Sequence, residues 1–322
     1  MLAASSPVAP GIDVVVNREA SRLVGEGGLR RVIVDAAAGA GARVHETRSL
    51  GDLEHVARGI AASGSTAVVL AGGDGSYMAG VSALARAYGS GPLPPVAFAP
   101  GGTVCTVARN LGMKGSARAY ARRIVAGVID GTAHSEARPT LRVVDDSGGD
   151  RVGFIFGSGL VVTFFEAYYA APRQGLAAAA RIVARVFAGS LAGSGYARRL
   201  LRPSRCTLVV DGDRHAAHEW SLVLASVVPD VGLHLLVPYR AGEETDRFHV
   251  VASGLAARAL GSQLPRALAG RPLIGEPRID ALARSLRVDF ERQMGGYVLD
   301  GDLFRAGSAN VEAGPLLSLL RV

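Results

Sequence analysis

The chain reads as a two-domain α/β protein, with an N-terminal domain on a parallel sheet followed by a mostly antiparallel β-sandwich domain. Three observations predict it. Strand-type and helix-type runs alternate through roughly the first 130 residues, which is the order of a parallel sheet covered by helices on both faces. Beyond Ala137 the pattern changes to short β-type runs separated by turn residues. At 322 residues the chain also exceeds the about 100–200 residues usual for one domain.

In the first domain, residues 1–137, the β-branched run 12–16 predicts a strand, 29–38 a helix and 42–47 a short strand. Ser49 and Asp52 have capping-box spacing, after which Leu53, Val56, Ala57 and Ile60 share one helical face. Residues 66–71 predict a buried strand, 77–88 a helix and 96–99 another strand. In the second domain, residues 138–322, strands are expected at 141–144, 152–156, 206–210, 220–227, 233–237, 248–252 and 286–290. Gly148-Gly149 and Asp211-Gly212 fit hairpin turns, and one helical insert spans 175–192. The lack of a low-complexity linker predicts domains that touch along a cleft, with the active site in it.

Hydrophobic residues make up 49% and charged residues 20% of the chain, a composition with ample material for burial. The first eleven residues lack a basic start and a long apolar run, and no later stretch reaches about 18 apolar residues. A cytoplasmic protein is expected. Cys105 and Cys206 show no metal-type spacing and read as buried, reduced thiols. The net charge of +7, with Lys114 the only lysine, favours an anionic partner. Nucleic acid is not expected, because no binding motif accompanies the 6% of aromatic residues.

The densest signal is Gly72-Gly73-Asp74-Gly75-Ser76, between an apolar run and a helix-like stretch. Glycines at the carboxyl end of a parallel strand let backbone N–H groups approach a ligand, and the following helix favours an anion. The motif is neither a Walker A sequence nor GxGxxG. A second glycine turn, Pro100-Gly101-Gly102-Thr103, follows the next strand and leads into Val107-Ala108-Arg109-Asn110. Two such turns after successive strands face one ligand.

The pair resembles the catalytic domain of the diacylglycerol kinase, sphingosine kinase and ceramide kinase family, which is related to the NAD kinases through a GGDGT-type turn. Asn17, Gly72 to Ser76, Gly102-Thr103 with Ala108-Arg109, and Asp300-Gly301-Asp302 carry the likeness in the family's order. The chain departs from the pattern at Arg18 for proline, Ser76 for threonine, Met78-Ala79 for Asn-Glu, and Cys105-Thr106 for Asn-Asp. The resemblance implies an NAD-kinase-like N-terminal fold and ATP with Mg2+ as cofactors. It implies nucleotide contacts from Asn17, Gly72, Gly73, Asp74, Gly75, Ser76, Gly102 and Thr103. It makes Asp300 the base for the acceptor hydroxyl, with Asp74 as the alternative and Asp302 in place of the family's glutamate. The metal ligands stay open: Glu243, Glu244 and Asp246 offer carboxylates, or form a solvated acidic turn.

Between Ala167 and Val210 there is no acidic residue but there are seven arginines. Arg173, Arg181, Arg185 and Phe187 are therefore expected to face lipid, and the protein to lie against the anionic inner face of the membrane. A helix packed in the core with solvated arginines is the other reading. The acceptor is expected to be a neutral lipid with a primary hydroxyl, namely ceramide, a sphingoid base or diacylglycerol. An NAD-kinase-like enzyme and a catalytically silent nucleotide or lipid binder are the alternatives, and a homodimer is left open.

Overall fold

The protein is represented by a computed structural model that describes residues 11–24, 28–291 and 295–322. The segment read for a leader lies, apart from Gly11, outside the described residues. The chain forms two compact units, residues 1–138 with 317–322 and residues 139–316. The last strand thus returns to the first unit, a connection that the expected boundary at 137/138 missed.

The first unit runs β1 (Ile12–Asn17), α1 (Leu29–Gly39), β2 (Arg43–Thr47), α2 (Leu50–Ser63), β3 (Ala67–Gly72), α3 (Asp74–Tyr88), β4 (Val96–Pro100), α4 (Thr106–Asn110), α5 (Ala117–Ile129) and β5 (His134–Arg138). Every residue of β3 and β4 is buried, as expected of parallel strands covered on both faces. The capping box forms as its spacing predicts: Asp52 N–H donates to Ser49 Oγ, Ser49 N–H donates to Asp52 Oδ2, and Gly64 closes α2 in the left-handed region.

The second unit runs β6 (Leu141–Asp145), β7 (Asp150–Gly153), β8 (Ile155–Gly159), α6 (Leu160–Tyr169), α7 (Leu176–Leu191), α8 (Gly195–Leu200), β9 (Ser204–Val210), β10 (Asp213–Arg214), β11 (Glu219–Trp220), β12 (Leu222–Ser226), β13 (Phe248–Ser253), α9 (Ala257–Gly261), α10 (Leu264–Leu268), β14 (Arg278–Ala283), β15 (Ser285–Phe290), β16 (Gly295–Leu299), β17 (Asp302–Ala306) and β18 (Ser308–Ala313). Then β19 (Leu317–Arg321) rejoins the first sheet.

That first sheet has the order β2-β1-β3-β4-β19-β5, with β19 parallel to β4 and antiparallel to β5. The register pairs Val16 with Ala71 and Gly72 with Pro100. Asn17 and the two glycine turns therefore leave the sheet side by side at its carboxyl edge. The second unit holds two antiparallel sheets, β10-β9-β15-β18-β6-β7, with β11 paired to β9, and β14-β13-β12-β8-β16-β17. Asp145 of the first accepts hydrogen bonds from Arg151 of the same sheet and from the Tyr297 hydroxyl of the second.

The expected turns at 148–149 and 211–212 form, but residues 233–237 make no strand. Leu233 and His234 follow Gly232 at φ of 54° and 59°, which no extended strand permits. Helices also exceed the single insert: α6, α7 and α8 run in series, and α9 and α10 join them. Residues of α7 through α10 pack with Leu222, Leu224 and Val251 as one core. Among the described residues no helix is long and apolar enough to cross a membrane.

Candidate nucleotide site and the Asp300 turn

The two glycine turns are built against each other. Gly101 N–H donates to Gly72 O at 2.6 Å, and a Cβ added to Gly102 would lie 2.5 Å from Gly73 Cα. Only a bare α-carbon permits that approach. A Cβ on Gly72 would strike Ser76, whose Oγ accepts from Gly73 N–H at 3.2 Å and from Asn17 Nδ2 at 2.8 Å. Asn17 in turn accepts Glu19 N–H, so the first turn is tied to the second.

Asp74 joins the second turn to the third. It opens α3, and its carboxylate accepts Thr106 N–H at 2.8 Å and Val107 N–H at 3.0 Å, the first amides of α4. The helix that follows the Gly101-Gly102-Thr103 turn is thus capped by a carboxylate from the neighbouring turn. At the departure from Asn-Asp, the backbone N–H of Thr106 makes this contact, and Cys105 sits in the left-handed region at φ 54° with Sγ on Gly102 O. Burial, reinforced by the charge of Asp74, pushes the Cys105 thiol up to about 11.

Two contributors escaped the sequence reading. Ser21 Oγ lies 2.8 Å from Thr103 Oγ1, and Arg22 donates through its side chain to Thr103 O and through its backbone to Gly101 O. Nothing in their spacing singles them out. They are found only once the strands are placed in register. The first-turn amides of α3 have no acceptor within the helix, and the neighbouring turns carry further donors in Ser76, Thr103 and Arg22. With the Asp74 carboxylate turned onto α4, the donor set is that of an anion site.

In the second unit Asp300-Gly301 is a two-residue hairpin turn between β16 and β17, with φ of 49° and 98°. The Asp300 carboxylate is buried and accepts the N–H groups of Phe154, at 3.0 Å, and Ile155, at 2.8 Å. Asp211-Gly212 has the same construction, Asp211 Oδ1 accepting the N–H groups of Arg284 and Ser285. What distinguishes Asp300 is burial and an aromatic neighbourhood: Tyr169 donates to Gly301 O at 2.9 Å, and Phe165 lies beside Gly301. Asp302 begins β17 and is exposed. Burial and the charge of Asp302 push the Tyr169 hydroxyl up to about 12.

The carboxylates of the acidic loop are paired with arginines. Glu243 pairs with Arg240, Glu244 with Arg247 and Asp246 with Arg284, and no group of three metal-ligating side chains occurs among the described residues. The apolar stripe of α7 is likewise part of the core: Ala179, Ile182 and Val186 are buried and Phe187 is half-buried, while Arg173, Arg181 and Arg185 are exposed.

Comparisons with known proteins identify the fold. Residues 12–137 match the diacylglycerol kinase catalytic domain. No curated protein matches the chain. A candidate diacylglycerol kinase from Bacillus anthracis Sterne superposes with a TM-score of 0.64 at 16% identity, covering 98% of this chain and 96% of the other. A diacylglycerol kinase structure from the same organism gives 0.59 at 14%, over 98% and 97%. Yeast NADH kinase complexed with NADH gives 0.50 at 11%, over 98% and 84%. The chain has the diacylglycerol kinase and NAD kinase fold, its residues 12–137 are similar to the diacylglycerol kinase catalytic domain, and these likenesses support a kinase.

Proposed function

We propose that the protein transfers the γ-phosphoryl group of ATP to the primary hydroxyl of a neutral lipid: ceramide, a sphingoid base or diacylglycerol. The observation that carries the reading is the pair of glycine turns locked by Asp74 at the carboxyl edge of the parallel sheet. Asn17, Gly72, Gly73, Gly75, Ser76, Gly102 and Thr103 would hold the phosphates, with Asp74 fixing the two turns in register. Mg2+ would neutralise charge on the β- and γ-phosphates, and in phosphate sites it commonly needs only one or two protein carboxylates.

In the transfer, the lipid hydroxyl oxygen forms a bond to the γ-phosphorus while the bond to the β–γ bridging oxygen breaks, releasing ADP. Asp300 is assigned the hydroxyl proton. Two backbone amides hold its carboxylate in one orientation, which supports a positioned base. Asp302, one residue beyond the turn, is the neighbouring carboxylate.

The test follows labelled γ-phosphate from ATP, with and without Mg2+, into micelles containing diacylglycerol, ceramide or sphingosine, with NAD as a soluble acceptor. Asp300→Asn and Asp211→Asn perturb turns of the same construction, so a base at Asp300 predicts loss of transfer only in the first. Equal losses would reduce Asp300 to a turn residue. A second reading, a silent nucleotide or lipid binder, is favoured by Thr106 standing where the family has an aspartate. ATP binding without transfer to any acceptor would establish it.

A further inference from the structure

The helical layer of the second unit unites two stretches that are far apart in sequence and share one property. Residues 167–210 contain no acidic side chain, and neither do residues 247–275. The first stretch forms α7 and α8, the second α9 and α10, and their inward residues pack on one face of the sheet containing β12 and β13. The helices meet closely, because a Cβ on Gly261 of α9 would lie 1.8 Å from Ser190 Oγ of α7. The resulting layer is cationic without local compensation.

Its outer side carries Arg181, Arg185, Arg198, Arg199, Arg258 and Arg271, all exposed. None of them forms an ion pair with a described carboxylate, whereas the acidic loop at 243–246 and Glu166 of α6 are each matched to an arginine. Arg185 lies over the Tyr196 ring at 3.9 Å. Leu176 and Leu191 of α7 and Leu268 of α10 are each exposed by more than 40%. Arginines interspersed with isolated exposed leucines suit a headgroup region, where guanidinium groups meet phosphates and leucines reach the acyl boundary.

We infer that the outer side of the α7–α10 layer docks on a bilayer containing anionic phospholipid. The charge complementarity of exposed arginines from both acid-free stretches selects that occupant, and the scattered leucines favour a bilayer over a soluble polyanion. The purpose of docking rests on the lipid-acceptor reading, since an acceptor dissolved in a bilayer has to be met at its surface. The docking itself is measured without nucleotide, so its failure and the failure of the kinase reading are separable.

The test is co-sedimentation of the full chain with vesicles of phosphatidylcholine alone or mixed with phosphatidylglycerol, at low and high salt. Binding to the anionic vesicles alone, weakened by salt, is expected. Each arginine removed should weaken it about fivefold. The variant Arg181→Glu/Arg258→Glu takes one residue from each acid-free stretch. Arg118→Glu/Arg122→Glu changes the net charge equally on α5 of the first unit, and circular dichroism checks that both variants fold. Loss of binding in the first variant with retention in the second supports the assignment. Equal loss in both, binding indifferent to phosphatidylglycerol, or retention on RNA without vesicle binding would overturn it.

Discussion

The carboxylate of Asp74 accepts the backbone N–H of Thr106 across 32 positions of sequence, at 2.8 Å. With the Val107 contact it makes the start of α3 and the start of α4 one rigid corner. Removing it leaves two amides without their acceptor. Asp74→Ala is expected to cost about 2 kcal/mol, the range for hydrogen bonds to a charged group, and to weaken ATP binding. Thermal unfolding and a nucleotide titration check the two effects.

Glycines of this chain divide by what a Cβ would meet. Gly59 lies mid-helix in α2, exposed, with nothing within 4 Å of an added Cβ. Gly59→Ala should therefore stabilise the protein by roughly 0.5–1 kcal/mol, through lower backbone entropy of the unfolded chain. A denaturant midpoint shifted upwards with an unchanged slope is the expected result.

Asp145 provides a pH prediction. Burial alone would raise its carboxyl, but hydrogen bonds from Ser147, Tyr297, Gly149 N–H and Arg151 outweigh this and lower it from 3.8 to about 2. A depressed folded-state value gives stability that is complete above the unfolded value and is lost as pH falls through the folded one. The contribution is about 2 kcal/mol at neutral pH. The stability gap between wild type and Asp145→Asn should thus narrow between pH about 4 and about 2, as followed by unfolding at a series of pH values.

The thiols are expected to be inert in the folded protein. Both are buried, and burial foremost pushes Cys105 up to about 11 and Cys206 up to about 12. A thiol reagent at mildly alkaline pH should label neither until denaturant is added.

Local chemistry made much of this legible in the sequence. The alternation of buried runs with amphipathic helices, the Ser49-Asp52 capping box and the Asp211-Gly212 turn act over a few residues, and each forms where it was read. The resemblance carried by the glycine turns is matched by the family comparison over residues 12–137. Long-range pairing was not legible: β19 joins the first sheet through contacts of Leu317 with Arg138 and Leu319 with Val96, which no local pattern announces. Leu233 to Val237 misled for the opposite reason, since its apolar composition suits a strand while Gly232 starts a turn that two positive-φ residues continue. The roles of Ser21 and Arg22 likewise depend on a neighbouring strand end, not on their own sequence context.

Calorimetric titration of ATP into wild type and Gly102→Ala tests most directly whether the paired glycine turns form the nucleotide site. A methyl 2.5 Å from Gly73 Cα meets backbone that cannot turn aside. Binding by the wild type, with loss in a variant that keeps its circular dichroism spectrum, is the result this account predicts. Equal affinity in the two proteins, or no binding by the wild type, would contradict it.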